Sequence, residues 1–166
     1  MSQIAPAITV AESLQPPAII VQLLDKLALP YQVCFDQPDL APAQRVQAVL
    51  LEDELGALLV LYPQSQLLDL SRLAELTGRK LLAVKPERLE RMLGKHQLLQ
   101  LPGLPALTSS PCSYEERLLQ EPTLLIESGQ PGVLLAIPSE AFKTALSKAS
   151  TAHFGELLSQ ILTNLN

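Results

Sequence analysis

Apolar residues recur at helical spacing early in the chain and then give way to short alternating or continuous runs. In "PAIIVQLLDKLAL", Ile19, Ile20, Leu23, Leu24 and Leu27 form one stripe. Pro17 suits the first turn of that helix and Pro30 is placed to stop it. "YQVCFDQ" alternates Tyr31, Val33 and Phe35 with Gln32, Cys34 and Asp36, the pattern of a half-buried strand. Next, "QAVLL" and "ALLVLY" flank "EDELG". Each run is too short and too continuously apolar for an amphipathic helix, and the acidic, glycine-bearing stretch between them has hairpin-loop chemistry. The pattern therefore predicts a hairpin covered on both faces, its second strand ended by Pro63.

Downstream, Asp69 is placed as N-cap for "LSRLAELT", with Gly78 closing that helix. "KLLAV" predicts a strand, and "PERLERML" a helix with Pro86 in its first turn and Gly94 after its last. Residues 95–122 contain Pro102, Pro105, Pro111 and Pro122 and predict a loop that wraps the core. "TLLIES", "GQPG" and "VLLAI" predict a second hairpin. Ser139 then caps "EAFKTALSK", with Phe142, Ala145 and Leu146 facing inward. Residues 1–16 have no clean period and read as a leader, 17–148 as the domain, and 149–166 as a C-terminal helix. That helix carries Phe154, Leu157, Leu158, Ile161, Leu162 and Leu165 at helical spacing. It is either a final packing element or a link outward. Mixed helices and hairpins imply an α+β fold on a curved, mostly antiparallel mixed sheet with packed helices.

Composition narrows the function classes. With 48% hydrophobic and 17% charged residues, the 166-residue chain can bury a sizeable core. Three Phe, three Tyr and no Trp leave little material for stacking bases. A net charge of −5 argues against broad nucleic-acid adhesion. Yet seven of the twelve Lys/Arg fall between residues 72 and 95, against three acids there. That stretch is either a solvated helix face or a basic patch for phosphates. The N-terminus lacks a secretory pattern and no apolar run is long enough to cross a bilayer, so the expectation is a cytoplasmic setting and no membrane partner.

Candidate chemistry is sparse. Cys34, in the alternating run, reads as a small buried hydrophobe, whereas Cys112 sits in loop-like "TSSPCSY", where a thiol could be reactive. His96 and His153 stand apart, so neither metal nor cofactor is expected. His96 reads as a surface residue or as a phosphate or proton partner, His153 as a helix-start residue. Glu52, Asp53 and Glu54 on the predicted hairpin tip should be exposed and titrate normally. No glycine-rich phosphate loop and no nucleophile–base pair is evident.

Three phrases carry a resemblance: "QAVLLEDELGALLVLYPQSQLLDLSRLAELTGR", "LLAVKPERLERMLG" and "LLIESGQPGVLLAIPSEAFKTAL". In these the chain resembles the YbaK/prolyl-tRNA-synthetase-associated family of aminoacyl-tRNA editing domains, over roughly residues 17–148. The resemblance implies a mixed sheet partly closed like a barrel, hydrolysis of the ester joining a wrong amino acid to tRNA, and tRNA as partner. It also implies a lysine at the start of the first hairpin strand, where this sequence has Gln47. An amide keeps a donor but gives up the cation. The family's Gly-x-x-Pro loop corresponds to "LLQLPGLPAL", with Leu99 at the glycine's place, where a side chain would crowd a close backbone contact, and Pro102 retained. Gln47, Leu99, Pro102 and Gly129 are thus expected to line the pocket by family position, with Arg45 beside them as its surviving cation, and no residue is assigned as catalytic.

The resemblance extends to the degenerate editing-like module that precedes HDOD output domains in signalling proteins. Three functions follow as expectations. One is a catalytically impaired module that binds a ligand or partner in a regulatory role. Another is an aminoacyl-tRNA deacylase whose cation comes from Lys80, Lys85 or Arg45. The last is a packing or oligomerisation unit, with a protein partner held through the C-terminal helix.

Overall fold

A computed structural model describes residues 14–149, apart from 69 and 109. The expected leader up to residue 13, the Asp69 cap, His153 and the C-terminal helix lie outside the described residues. Helix α1 spans Ala18–Lys26 behind Pro17, with Ile20 and Leu24 fully buried. Strand β1 (Gln32–Phe35) follows, and then the hairpin of β2 (Arg45–Asp53) and β3 (Gly56–Pro63). Helix α2 (Leu70–Thr77), a two-residue β4 (Leu82–Ala83) and α3 (Pro86–Gly94) come next. After them stand the short α4 (Pro105–Thr108), β5 (Cys112–Tyr114) and a 3-10 turn at Glu116–Gln120. The hairpin β6 (Thr123–Glu127) and β7 (Val133–Pro138) and helix α5 (Ser139–Ala149) complete the described chain.

The seven strands form one mixed sheet in the order β1-β7-β6-β2-β3-β5, with β4 beside the far end of β2. Both hairpins are antiparallel and are joined by a parallel pairing, Arg45 with Leu125 and Val46 with Ile126. β5 adds in parallel to β3. The path ends at β1 and β5, so the sheet is not closed. The fold is α+β, with helices packed on a mixed, mostly antiparallel sheet.

Alternation along the strands divides the core between two faces. Val46, Leu50, Leu59, Leu61, Leu124, Ile126, Leu135 and Ile137 pack with Phe142, Ile20 and Leu24 in the main cluster. On the other face Leu51, Leu58 and Val60 meet Leu73 of α2 and Leu81. This double cover is what the continuous apolar runs of the first hairpin require. Burying a side chain such as Phe142 contributes about 1.5–3 kcal/mol. Its neighbours Ala145 and Leu146 are buried as well, as the helical spacing predicts.

Several sequence expectations need correction. Val33 and Phe35 are 39% and 46% exposed, and Cys34 is only half-buried, because β1 is an edge strand paired with β7 alone. Residues 95–122 are not one loop, since the open side of β3 recruits Cys112–Tyr114 as a strand. Cys112 is accordingly fully buried, and burial pushes its thiol up to about 12, which leaves it unreactive. At the hairpin tip, Asp53 does not titrate normally either. Asp53 accepts two bonds of 2.6 Å from Arg79, whose guanidinium holds the carboxyl down at about 2, and Arg88 pairs with Glu52.

Candidate functional site

The site grows from the base of the first hairpin. Arg45 opens β2, and its backbone is fixed on both sides. Its carbonyl accepts from the Gln64 N–H at 2.9 Å, and the preceding Gln44 carbonyl accepts from the Leu125 N–H at 2.8 Å. The Arg45 side chain is divided between two carboxylates. It donates to Asp36 at 2.8 and 3.2 Å and to Glu127 Oε1 at 3.2 Å. Burial pushes the Glu127 carboxyl above its ordinary range, and Arg45 offsets this only in part. Arg45, expected as the pocket's surviving cation, is thus engaged in ion pairs. Two acids share its one guanidinium.

Gln47 lies two residues further along β2, on the same side of the strand as Arg45. Its registered partner on β3 is Tyr62, whose phenol is pushed up by burial. Gln47 is half-buried, and Val49 and Leu51 beyond it lead under α2. The polar row at the hairpin base is thus exposed Asp36 with half-buried Arg45, Glu127, Gln47 and Tyr62. An open cleft of about 770 Å³ lies at its outer end, lined by Asp36, Gln37, Pro38, Arg45 and Gln64 among others.

Leu99, Pro102 and Gly129 assemble elsewhere. The Gly129 carbonyl accepts from the Leu99 and Gln100 N–H groups at 2.9 and 3.2 Å, which ties the chain after α3 to the turn between β6 and β7. Gly129 has φ +97°, and a Cβ there would stand 2.7 Å from Leu98 Cδ2. Its glycine is required twice over, by conformation and by space. Leu99 leaves this contact with Gly129 uncrowded. Its side chain is 69% exposed while its backbone makes the bond. Pro102 is buried, and a Cβ on the adjoining Gly103 would meet Ile126 Cγ2 at 3.1 Å and Val46 Cγ1 at 3.6 Å. Val46 belongs to the face of β2 opposite Gln47. The five residues expected in one pocket therefore divide between two sides of the sheet.

Sequence reasoning missed Asp36, Tyr62 and Glu127. Glu127 gave one usable signal, as the single ionisable residue in "TLLIE". Its partner Arg45 is 82 positions away, so pairing was needed to connect them.

A larger open cleft of about 1020 Å³ lies at the hairpin tip, lined by Glu52, Asp53, Arg79, Lys80, Lys85 and Arg88 among others. The basic stretch thus splits, with Arg79 and Arg88 neutralised by the tip acids and Lys80 and Lys85 facing the cleft exposed. Among the described residues no group of three His, Cys, Asp or Glu could hold a metal, and no helix is long and apolar enough to cross a membrane.

Residues 31–145 match the family described as the aminoacyl-tRNA editing domain. No curated protein sequence matches the chain. Among solved structures, a candidate signal transduction protein from Marinobacter aquaeolei VT8 is 26% identical at a TM-score of 0.71, covering 82% of this chain and 30% of that one. The present chain therefore spans under a third of that protein's length. A candidate trans-editing enzyme for prolyl-tRNA synthetase is 23% identical at a TM-score of 0.61, over 80% of this chain and 93% of that one. The hypothetical protein APE2540 is 14% identical at 0.60, over 79% and 95%. These last two establish a shared fold.

Proposed function

This chain belongs to the aminoacyl-tRNA editing domain family, and on that premise we propose that it is an editing-like module, impaired in catalysis, that binds a ligand or partner in a regulatory role. The observation that carries the reading is the charge at the hairpin base. Gln47 stands where the resemblance puts a lysine, and the neighbouring Arg45 is shared between Asp36 and Glu127. One guanidinium against two carboxylates offers no surplus positive field to a phosphate or a developing oxyanion. Stabilising such charge is usually the largest catalytic contribution, and losing one donor costs about 10²–10³ in rate. Support for the regulatory part is the 26% identity to a portion of a longer candidate signal transduction protein.

The test is single-turnover deacylation of alanyl and cysteinyl esters on a proline tRNA by the wild type and Gln47→Lys. The expected result is an uncatalysed rate for the wild type and a gain of about tenfold or more for the variant. Rapid hydrolysis by the wild type would overturn the impaired reading in favour of a working deacylase with another cation. Two inert proteins would mean that the pocket has lost more than its charge.

A further inference from the structure

A small cavity of about 210 Å³ lies on the main-core side of the sheet, away from Gln47. It is lined by Leu50 of β2, by Leu89, Met92 and Leu93 of α3, and by Leu101 and Leu107. Leu50 and Gln47 differ by an odd number of positions along one strand, so they face opposite sides. The cavity is therefore independent of the hairpin-base site and of the function proposed for it.

Its polar groups are one-sided. Lys95, His96 and the Thr108 hydroxyl complete the lining, and among the described residues no carboxylate joins them. Lys95 is exposed and has no acidic partner among the described residues. The C-terminal end of α3 would oppose an anion if its carbonyls were bare. Three of them are occupied, since Arg91, Leu93 and Gly94 accept from the N–H groups of Lys95, His96 and Gln97 at 3.3, 3.0 and 3.1 Å, which weakens that opposition. An apolar slot with a cationic mouth is the complement of an amphiphile with an apolar tail and an anionic head.

We propose that this cavity is a binding site for a small apolar monocarboxylate, its tail among Leu50, Leu101 and Leu107 and its carboxylate at Lys95 and His96. The volume equals that of about seven water molecules, which limits the ligand to roughly six to nine non-hydrogen atoms. A free amino acid of similar tail fits less well, because its ammonium would lie beside Lys95.

The experiment is a methyl NMR titration of the full chain with 4-methylpentanoate, hexylamine and leucine. The expected result is saturable shifts of the Leu101 and Leu107 methyls with the carboxylate, and binding of the amine and the amino acid at least about tenfold weaker. Lys95→Glu, an exposed position, should weaken the carboxylate at least about tenfold with an unchanged urea midpoint. Leu107→Trp should occlude the slot. Equal binding of hexylamine, an unaffected Lys95→Glu, or no saturable shift at these methyls would each overturn the proposal. None of these outcomes depends on deacylation by the Gln47 site.

Discussion

The tip and the base of the first hairpin each hold an arginine–carboxylate contact, yet the two regions behave differently. At the tip, Arg79 gives two bonds of 2.6 Å to the single carboxylate of Asp53, which also accepts from the Leu55 N–H at 2.8 Å. At the base, Arg45 divides its donors between Asp36 and Glu127, and Glu127 receives one bond of 3.2 Å. The Asp53 carboxyl is held down at about 2, while that of Glu127 is raised. Side-chain exposure alone would suggest the reverse, at 13% for Asp53 and 26% for Glu127. Asp53 is covered at the surface mainly by its own partner. Glu127 is desolvated by the surrounding protein and under-supplied with donors. Stoichiometry of donors, more than contact with an arginine, decides which carboxylate is comfortable as an anion.

The glycines offer the largest test of this contrast. Gly129 has no room for a side chain, whereas Gly56 at the tip has φ +134° but nothing within 4 Å of an added Cβ. Gly129→Ala is expected to cost about 2–4 kcal/mol by combining backbone strain with overpacking against Leu98. Gly56→Ala should cost only the backbone part, about 1 kcal/mol. Urea denaturation of both variants measures the gap, and equal losses would erase the distinction between the packed β6–β7 turn and the open hairpin tip.

The arginines come next. Arg45→Ala leaves a half-buried Glu127 and Asp36 without their shared partner, with an expected loss of about 1–2 kcal/mol after allowance for solvent screening. Arg79→Ala should lose less, and should chiefly move the acid limb of the stability curve. A larger loss at Arg79 would place the greater burden on the tip.

The smallest effect is in the pH profile. Asp53, lowered from 3.8 to about 2, contributes stability that is present above pH 3.8 and is lost as pH falls toward 2. Glu127, raised from 4.5, acts oppositely, and its contribution is present below pH 4.5 and is lost as pH rises past its elevated value. Asp53→Asn should therefore flatten the acid limb. Glu127→Gln should be neutral or slightly stabilising at pH 7. Destabilisation at pH 7 by Glu127→Gln would show that the charged form is preferred at the base after all.

Local pattern went far in predicting the elements. The two hairpins, the stripe of Ile20 and Leu24, the inward set Phe142, Ala145 and Leu146, and the prolines at helix starts all follow from periodicity and turn chemistry, which act over a few residues. Position 47 was also legible, since an amide where the resemblance implies a lysine needs no coordinates to be noticed. The neighbours of that position were not. Glu127 and Asp36 reach Arg45 only because two hairpins meet through the parallel pairing of β2 with β6, a contact without a local signature. For the same reason the strand at Cys112–Tyr114 read as loop, because its stability comes from the open side of β3. Nothing in the sequence signals that the Leu99 backbone binds Gly129 while its side chain stays exposed. By itself, then, the sequence determined which segments are helices and hairpins and that position 47 carries an amide and not an ammonium. Only the tertiary structure decided which charges share one arginine and which side chains share one face, because long-range strand pairing sets both.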